Sequence, residues 1–319
     1  MADYKDIKGG TIQNFAGDPP APINGQIWYD SAAVAFQFRT VSPVGAWATG
    51  GTINTARNSL AGAGTQTAAL AIAGQPGKDE VESYDGTSWT EIADVNTQRQ
   101  DLGGCGTQTA ALIFGGEPVK ANVEKWDGSS WTEVGDLNTA RYGLGDNSIG
   151  TNTAALCAGG FSPPVTGIAE LWNGTSWTEV GDLNTGRARL GTFGTSTAAI
   201  AVAGAPSPAG GDETESWNGT SWTELNDMNS GRQQMGAAGT TTAGLVSGGK
   251  APITGKTEQW NGTSWTEGND LSTARLTLVG QGTTAAGLAV AGSPDDSAST
   301  GATEEWNSPS ASSETITTA

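Results

Sequence analysis

The chain has 319 residues, with 48 glycines, 12 tryptophans, no histidine, 33 acidic against 15 basic side chains and a formal charge of −18. Without histidine there is no Ser/His or Cys/His nucleophile system and no imidazole ligand for a metal. The acidity disfavours contact with a nucleic-acid backbone, and no apolar run reaches the ~18 residues of a membrane helix, so neither nucleic acid nor membrane insertion is expected.

In chain order, residues 1–40 form an N-terminal arm, with the core Gly25-Gln26-Ile27-Trp28-Tyr29-Asp30-Ser31. The N-terminus lacks the basic and apolar regions of a signal peptide, so synthesis in the cytoplasm without secretory export is expected. Residues 41–307 then carry a block that recurs six times. Its landmarks are Trp47, Trp89, Trp131, Trp177, Trp222 and Trp265, each followed ten positions later by Arg57, Arg99, Arg141, Arg187, Arg232 or Arg275. The arginines are 42 to 46 residues apart, a period shared by four-stranded propeller blades and two-helix solenoid units.

Composition separates these two. The units are rich in Gly, Thr, Ser and Trp, and none keeps an apolar stripe at helical spacing. The second unit instead shows four short runs: Arg99 to Cys105, Thr109 to Gly115, Val123 to Trp126 and Trp131 to Val134. They read as strands a, b, c and d. In strand b of the first unit, Leu70 and Ile72 alternate with alanines, so one face is bulky and the other small, as nesting blades require. Strands c and d are joined by Asp85-Gly86, Asp127-Gly128, Asn173-Gly174, Asn218-Gly219 and Asn261-Gly262, which predict tight hairpins. The same turn requirement accounts for the Asn-Gly-Thr triplets at Asn173, Asn218 and Asn261 without glycosylation.

The last unit keeps a strand c at Thr303–Trp306 but has no Trp five residues later. Trp47 stands ten residues before Arg57, as Trp89 stands before Arg99, so the missing outer strand is supplied from the N-terminal side. The expected fold is all-β: a closed six-bladed propeller over 41–307, preceded by the arm and followed by a tail, 308–319.

Two sets of carboxylates recur with the repeat. Glu82, Glu124, Glu170, Glu215, Glu258 and Glu304 precede an aromatic by two residues, and Glu91, Glu133, Glu179, Glu224 and Glu267 follow a Trp by two. Both sets read as solvated outer-strand residues, since a glycosidase acid/base pair would break the symmetry. Asp94, Asp136, Asp182, Asp227 and Asp270, five residues before an arginine, predict a ring of carboxylate–guanidinium contacts at the d to a turns. Cys105 and Cys157 read as buried free thiols. The b to c connections differ in every unit while the c to d turns are uniform, so one face is variable. Its candidate recognition rim is Lys78, Lys120, Phe161, Pro164, Pro206, Lys250, Lys256 and Asp295.

The sequence Ala158-Gly159-Gly160, then Glu170-Leu171-Trp172, Trp177, Asp182-Leu183-Asn184 and Arg187, resembles the kelch repeat over roughly residues 47 to 307. Three units depart from it, with Ala73-Gly74, Ala203-Gly204 and Ala291-Gly292 in place of Gly-Gly, so the resemblance implies fold more than function. The segment Gly25–Ser31 resembles one found near the start of many tailed-bacteriophage virion proteins. That resemblance implies a non-enzymatic virion protein of tail, fibre or capsid decoration, present in multiple copies. Its arm would join other virion proteins through Ile27, Trp28 and Tyr29, and its propeller would contact a host surface protein or glycan. No cofactor is expected. The alternatives are a cellular kelch-like interaction module and a glycan-active propeller enzyme. The latter rests on Ser83-Tyr84-Asp85-Gly86-Thr87-Ser88-Trp89, which resembles an Asp-box turn but is one residue short.

Overall fold

A computed structural model describes residues 12–17, 19, 26–41, 45–75, 78–144, 146–147, 149–205, 211–308 and 311–315. Among them there is no helix, and the strands divide into two units. The larger, Ala46–Ser308, consists of six sheets, each with four antiparallel strands, to one of which a short parallel strand is added. Blade I is Ala61–Thr65, Ala68–Gly74, Lys78–Tyr84 and Trp89–Ile92, in the spatial order a, b, c, d. Blades II to V repeat this order. The innermost strands pack in a circle, with Val279–Gly282 of blade VI against Ala61–Thr65 of blade I.

The two-faced character of strand b explains how the blades nest. Leu70 and Ile72 pack with Ala111, Ile113, Trp126 and Trp131 of blade II, whereas Ala69 and Ala71 lie in the cluster of Leu288 and Val290 from blade VI. Small residues let the inner strands approach: a Cβ at Gly104 would stand 2.8 Å from the Ala61 Cβ. One blade departs from the pattern. On entering blade III the chain first pairs Asp146–Asn147 in parallel with Gly191–Thr195 of blade IV, and only then reaches its own sheet at Gly150–Thr151.

Closure occurs as the missing tryptophan predicts. Ala46–Thr49 pairs antiparallel with Thr303–Asn307, placing Trp47 opposite Trp306. Their rings lie 5.4 Å apart, and Trp47 Nε1 donates to Thr257 Oγ1 of blade V at 2.9 Å. The equivalent aromatic pair recurs in every blade, from Tyr84–Trp89 to Trp260–Trp265, with ring centroids 4.8 to 5.5 Å apart. The c to d connections are looser than the predicted tight hairpins. Tyr84 pairs with Trp89, leaving a four-residue loop in which Gly86 takes a φ of +90° and Asp85 Oδ1 accepts from the N–H groups of Thr87 and Ser88. Asn173, Asn218 and Asn261 act in the same way, which accounts for the Asn-Gly-Thr triplets as turn chemistry.

The smaller unit corrects the expected boundaries. Residues 308–319 do not stand apart as a tail, because Ala311–Thr315 pairs antiparallel with Ala35–Val41. That strand pairs in turn with Ile27–Asp30, against which Asn14–Phe15 runs parallel. The propeller begins at Ala46 rather than at 41. Alternation along Ile27–Asp30 buries Trp28 and Asp30 and turns Ile27 and Tyr29 to the opposite face, where Tyr29 meets Phe36 edge-on.

Cys105 and Cys157 lie in strand a of blade II and strand b of blade III, buried and unbridged, as the sequence suggests. Burial raises the Cys105 thiol to about 12 and the Cys157 thiol to about 11, from an ordinary value of 9.0. Both stay protonated in the folded chain. A raised thiol pKa favours the folded state below the unfolded value and is lost on rising through the folded one, so stability should fall above about pH 9. A disulfide-exchange reagent at mildly alkaline pH should label neither thiol until denaturant is added; rapid labelling of the native chain would contradict the burial.

Candidate functional site

Each link from strand d to the next strand a ends in an arginine, within an Asn-Thr-x-Arg segment in four of the six, and the structure shows what it holds. Asn96 N and Nδ2 donate to Glu124 Oε2 at 2.7 and 3.0 Å, Thr97 N donates to Oε1 at 3.3 Å, and Arg99 Nη2 reaches the same oxygen at 2.8 Å. The arrangement recurs around the ring, with Arg57–Glu82, Arg141–Glu170, Arg187–Glu215, Arg232–Glu258 and Arg275–Glu304 between 2.6 and 3.2 Å. In blade VI, Ser272 N replaces the asparagine. Both partners of every pair are buried. Burial lowers the Arg99 pKa while Glu124 opposes the shift.

These contacts correct two expectations. Glu82, Glu124, Glu170, Glu215, Glu258 and Glu304 are not solvated, because each strand c glutamate lies beneath the linker that enters its own blade. The predicted ring of Asp94, Asp136, Asp182, Asp227 and Asp270 does not form. These aspartates are exposed, and the arginines turn inward to the glutamates instead. The second carboxylate set, Glu91 to Glu267, is exposed as expected. The arginines therefore join linker to blade and are not ligand-binding groups.

Two residues beyond each arginine the chain bends into the innermost strand. Ser59, Asp101, Gly143, Arg189, Gln234 and Thr277 all take φ between +50° and +61°. Their backbones close a continuous circle of hydrogen bonds: Asp101 N to Ser59 O at 2.9 Å, Gly143 N to Asp101 O at 2.9 Å, Arg189 N to Gly143 O at 2.7 Å, Gln234 N to Arg189 O at 2.9 Å, Thr277 N to Gln234 O at 2.7 Å and Ser59 N to Thr277 O at 3.1 Å. A left-handed backbone suits glycine, yet five of the six positions carry polar side chains, one of them β-branched. Strain retained repeatedly at one level of a fold points to use of the side chains it presents.

What they present is a solvent-open basin of about 310 Å³ at the propeller axis, lined by Ser59, Asp101, Arg189, Gln234 and Thr277 with Gln100, Glu117 and Asp296 at its margin. Beneath it Leu60, Leu102, Met235 and Leu278 leave about 20 Å³, room for one water, so the axis is sealed there. Neighbouring residues bridge the linkers to the b to c connections, as in Gln100 to Glu117 and Gln233 to Lys250, so both kinds of connection share this face as expected. The opposite end of the axis is a smaller cleft of about 80 Å³ lined largely by glycine backbone.

Arg189 is the cation of the circle. Its guanidinium lies 3.6 Å from Asp101 Oδ2 and 5.5 Å from the centre of the Phe161 ring, which stacks on Tyr142. Phe161 fits because the sixth position is glycine: a Cβ on Gly143 would stand 2.6 Å from the ring. Burial raises the Asp101 pKa, with Arg189 opposing it.

Of the predicted rim, Phe161 lies behind the basin-lining Arg189, and Lys250 reaches the basin through Asp296 at 2.6 Å. Lys256 is turned aside to Ser230 and Glu267, Lys120 is half-buried, Pro164 is exposed, and the exposed Asp295 carboxylate closes its own turn onto Ser297 and Ala298. Pro206 and the Lys78 side chain lie outside the described residues. Of the predicted anchoring residues, Trp28 is fully buried in its unit and unavailable to a partner, whereas Ile27 is exposed and Tyr29 half-buried. Sequence reasoning missed the axial circle itself. Its signal was present: between a fixed Arg and a fixed Leu or Met stands a residue that is Ser, Asp, Gly, Arg, Gln or Thr, different in every unit.

No family model matches the sequence, and no curated protein does. The fold is similar to the solved structure of YjhT, at 13% identity and a TM-score of 0.68, covering 82% of this chain and 99% of that one. Identity that low carries the architecture alone. The chain is an all-β protein built as a six-bladed β-propeller.

Proposed function

We propose that this protein is a non-enzymatic structural component of a bacteriophage particle, attached through its terminal unit and displaying a kelch-like propeller whose basin face meets the host. The observation that carries the reading is the distribution of exposed apolar side chains. Of the five large hydrophobics exposed among the described residues, Ile12, Ile27, Val34 and Phe36 belong to the small terminal unit, and Val119 alone to the propeller. Ile27 and Phe36 lie with Tyr29 on one face of the small sheet and give a partner an apolar surface to cover, whereas the acidic, polar propeller suits display at high copy number. The Gly25–Ser31 resemblance supplies the kind of partner, other virion proteins.

The basin favours recognition over catalysis because its carboxylates are engaged: Asp101 with Arg189, Glu117 with Gln100, and Asp296 with Lys250. Electron microscopy of purified particles, labelled with an antibody to the propeller, should show regular surface density. Ile27→Asp with Phe36→Asp should leave a folded propeller that no longer incorporates. Recovery of the chain only with a soluble cellular protein would favour a kelch-like interaction module instead.

A further inference from the structure

We propose that the axial basin is a binding site for a neutral saccharide, the terminal sugar of a surface glycan; this rests on reading the basin face as the recognition surface. The first ground is the strain. Glycine would serve the bend at every position, as it does at Gly143, yet Ser59, Asp101, Arg189, Gln234 and Thr277 hold left-handed backbones at a cost that only their side chains can justify. Those side chains converge on one space from five blades and form a set that alternates acceptors, donors and hydroxyls.

The second ground is charge. Arg189 is matched by Asp101, and Glu117 and Asp296 stand close to the same space, so an anionic ligand would meet more carboxylates than cations. A ligand with many hydroxyls and no charge can accept from Arg189 and Gln234 while donating to Asp101.

The third ground is shape. Phe161 occupies the place a side chain at position 143 would take, and its ring backs the Arg189 guanidinium at 5.5 Å, holding that donor beside the basin. The volume of about 310 Å³ is at the lower end of ligand pockets, enough for one or two sugar rings and too small for a folded segment of a partner protein.

Saturation-transfer NMR on the full chain with the methyl glycosides of glucose, galactose, mannose and N-acetylglucosamine, and with galacturonate as the acidic probe, tests this. Transfer to at least one neutral glycoside is expected. Arg189→Met and Gln234→Gly should each weaken it by about tenfold or more. Gln234→Gly should at the same time raise the melting temperature, by about 1–3 °C, because glycine relieves the backbone. A merely structural residue would not show that opposition. Binding that survives Gln234→Gly, a preference for galacturonate, or silence from all the neutral glycosides would overturn the proposal. Adsorption of the same chain to host cells separates the two readings: adsorption without saccharide binding overturns the sugar alone, and absence of both overturns the recognition face as well.

Discussion

Replacing Glu124 by alanine is expected to destabilise the propeller by about 3–5 kcal/mol, seen as a lower denaturant midpoint. The size follows from what the carboxylate serves. It accepts from the backbone N–H groups of Asn96 and Thr97, the Asn96 side-chain amide and the Arg99 guanidinium, in a site almost closed to solvent. Alanine strands all these donors at once, and each buried unpaired group costs about 1–3 kcal/mol before relaxation. Arg99→Met should cost less, because Glu124 keeps its three remaining N–H donors and the methionine fills part of the space. Glu91→Ala, at an exposed carboxylate in the same blade, should fall within about 0.5 kcal/mol of the parent. If Arg99→Met proved the more damaging, the carboxylate would not be the hub, and the linker would depend on the guanidinium instead.

Trp306→Ala should cost about 3–5 kcal/mol, the usual loss for truncating a buried tryptophan. Trp306 is fully buried, packs at a tilt against Trp47, donates from Nε1 to Thr284 O at 3.0 Å and accepts at its carbonyl from Gln66 Nε2 of blade I at 2.7 Å. It therefore touches both chain segments that close the ring. A companion experiment isolates closure from cavity formation. A chain starting at Ala46 should melt as a propeller with an unchanged midpoint, since it retains Ala46–Thr49. One starting at Gly51 loses that strand, leaves Thr303–Asn307 as a bare edge, and should melt lower and self-associate. Equal stability of the two truncations would mean that the outer strand is dispensable.

The two variants act on different levels of the same architecture, and a third acts against both. Glu124 and Trp306 hold linkers and blades together, while the axial circle keeps polar side chains on left-handed backbones that glycine would adopt at less cost. Gln234→Gly is therefore expected to raise stability where the other two lower it, and this opposition is the experimental mark of a binding surface on a scaffold.

Much of the fold was legible in the sequence because the signals are local and repeat six times. Asp85-Gly86 and its equivalents fix a turn whatever surrounds them, and the alternation of Leu70 and Ile72 with alanine declares which faces nest. The absent tryptophan after Trp306 even revealed which distant segment completes the last sheet. Side-chain partners were less legible. Glu124 and Glu133 stand on neighbouring strands with similar spacing to tryptophan, yet one is buried and the other exposed. Nothing local distinguishes them, because the difference lies in whether the incoming linker from the previous blade passes above. For the same reason the aspartates were paired with the arginines on grounds of proximity in sequence, although the guanidinium turns the other way.

The boundary of the terminal unit failed similarly. Ala311–Thr315 carries no repeat landmark, and its pairing with Ala35–Val41 joins residues 270 to 278 positions apart. The basin is the clearest case. Its residues are separated by a full repeat each, and no single unit contains a site. By itself the sequence determined the period, the blade count, the turns and the closing strand, since each depends on backbone preference or on a pattern of apolar residues within one unit. Only the tertiary structure decided which carboxylates are buried and which side chains converge on the axis, because those properties belong to the contact between blades, where six equivalent positions become neighbours through rotation about a common centre.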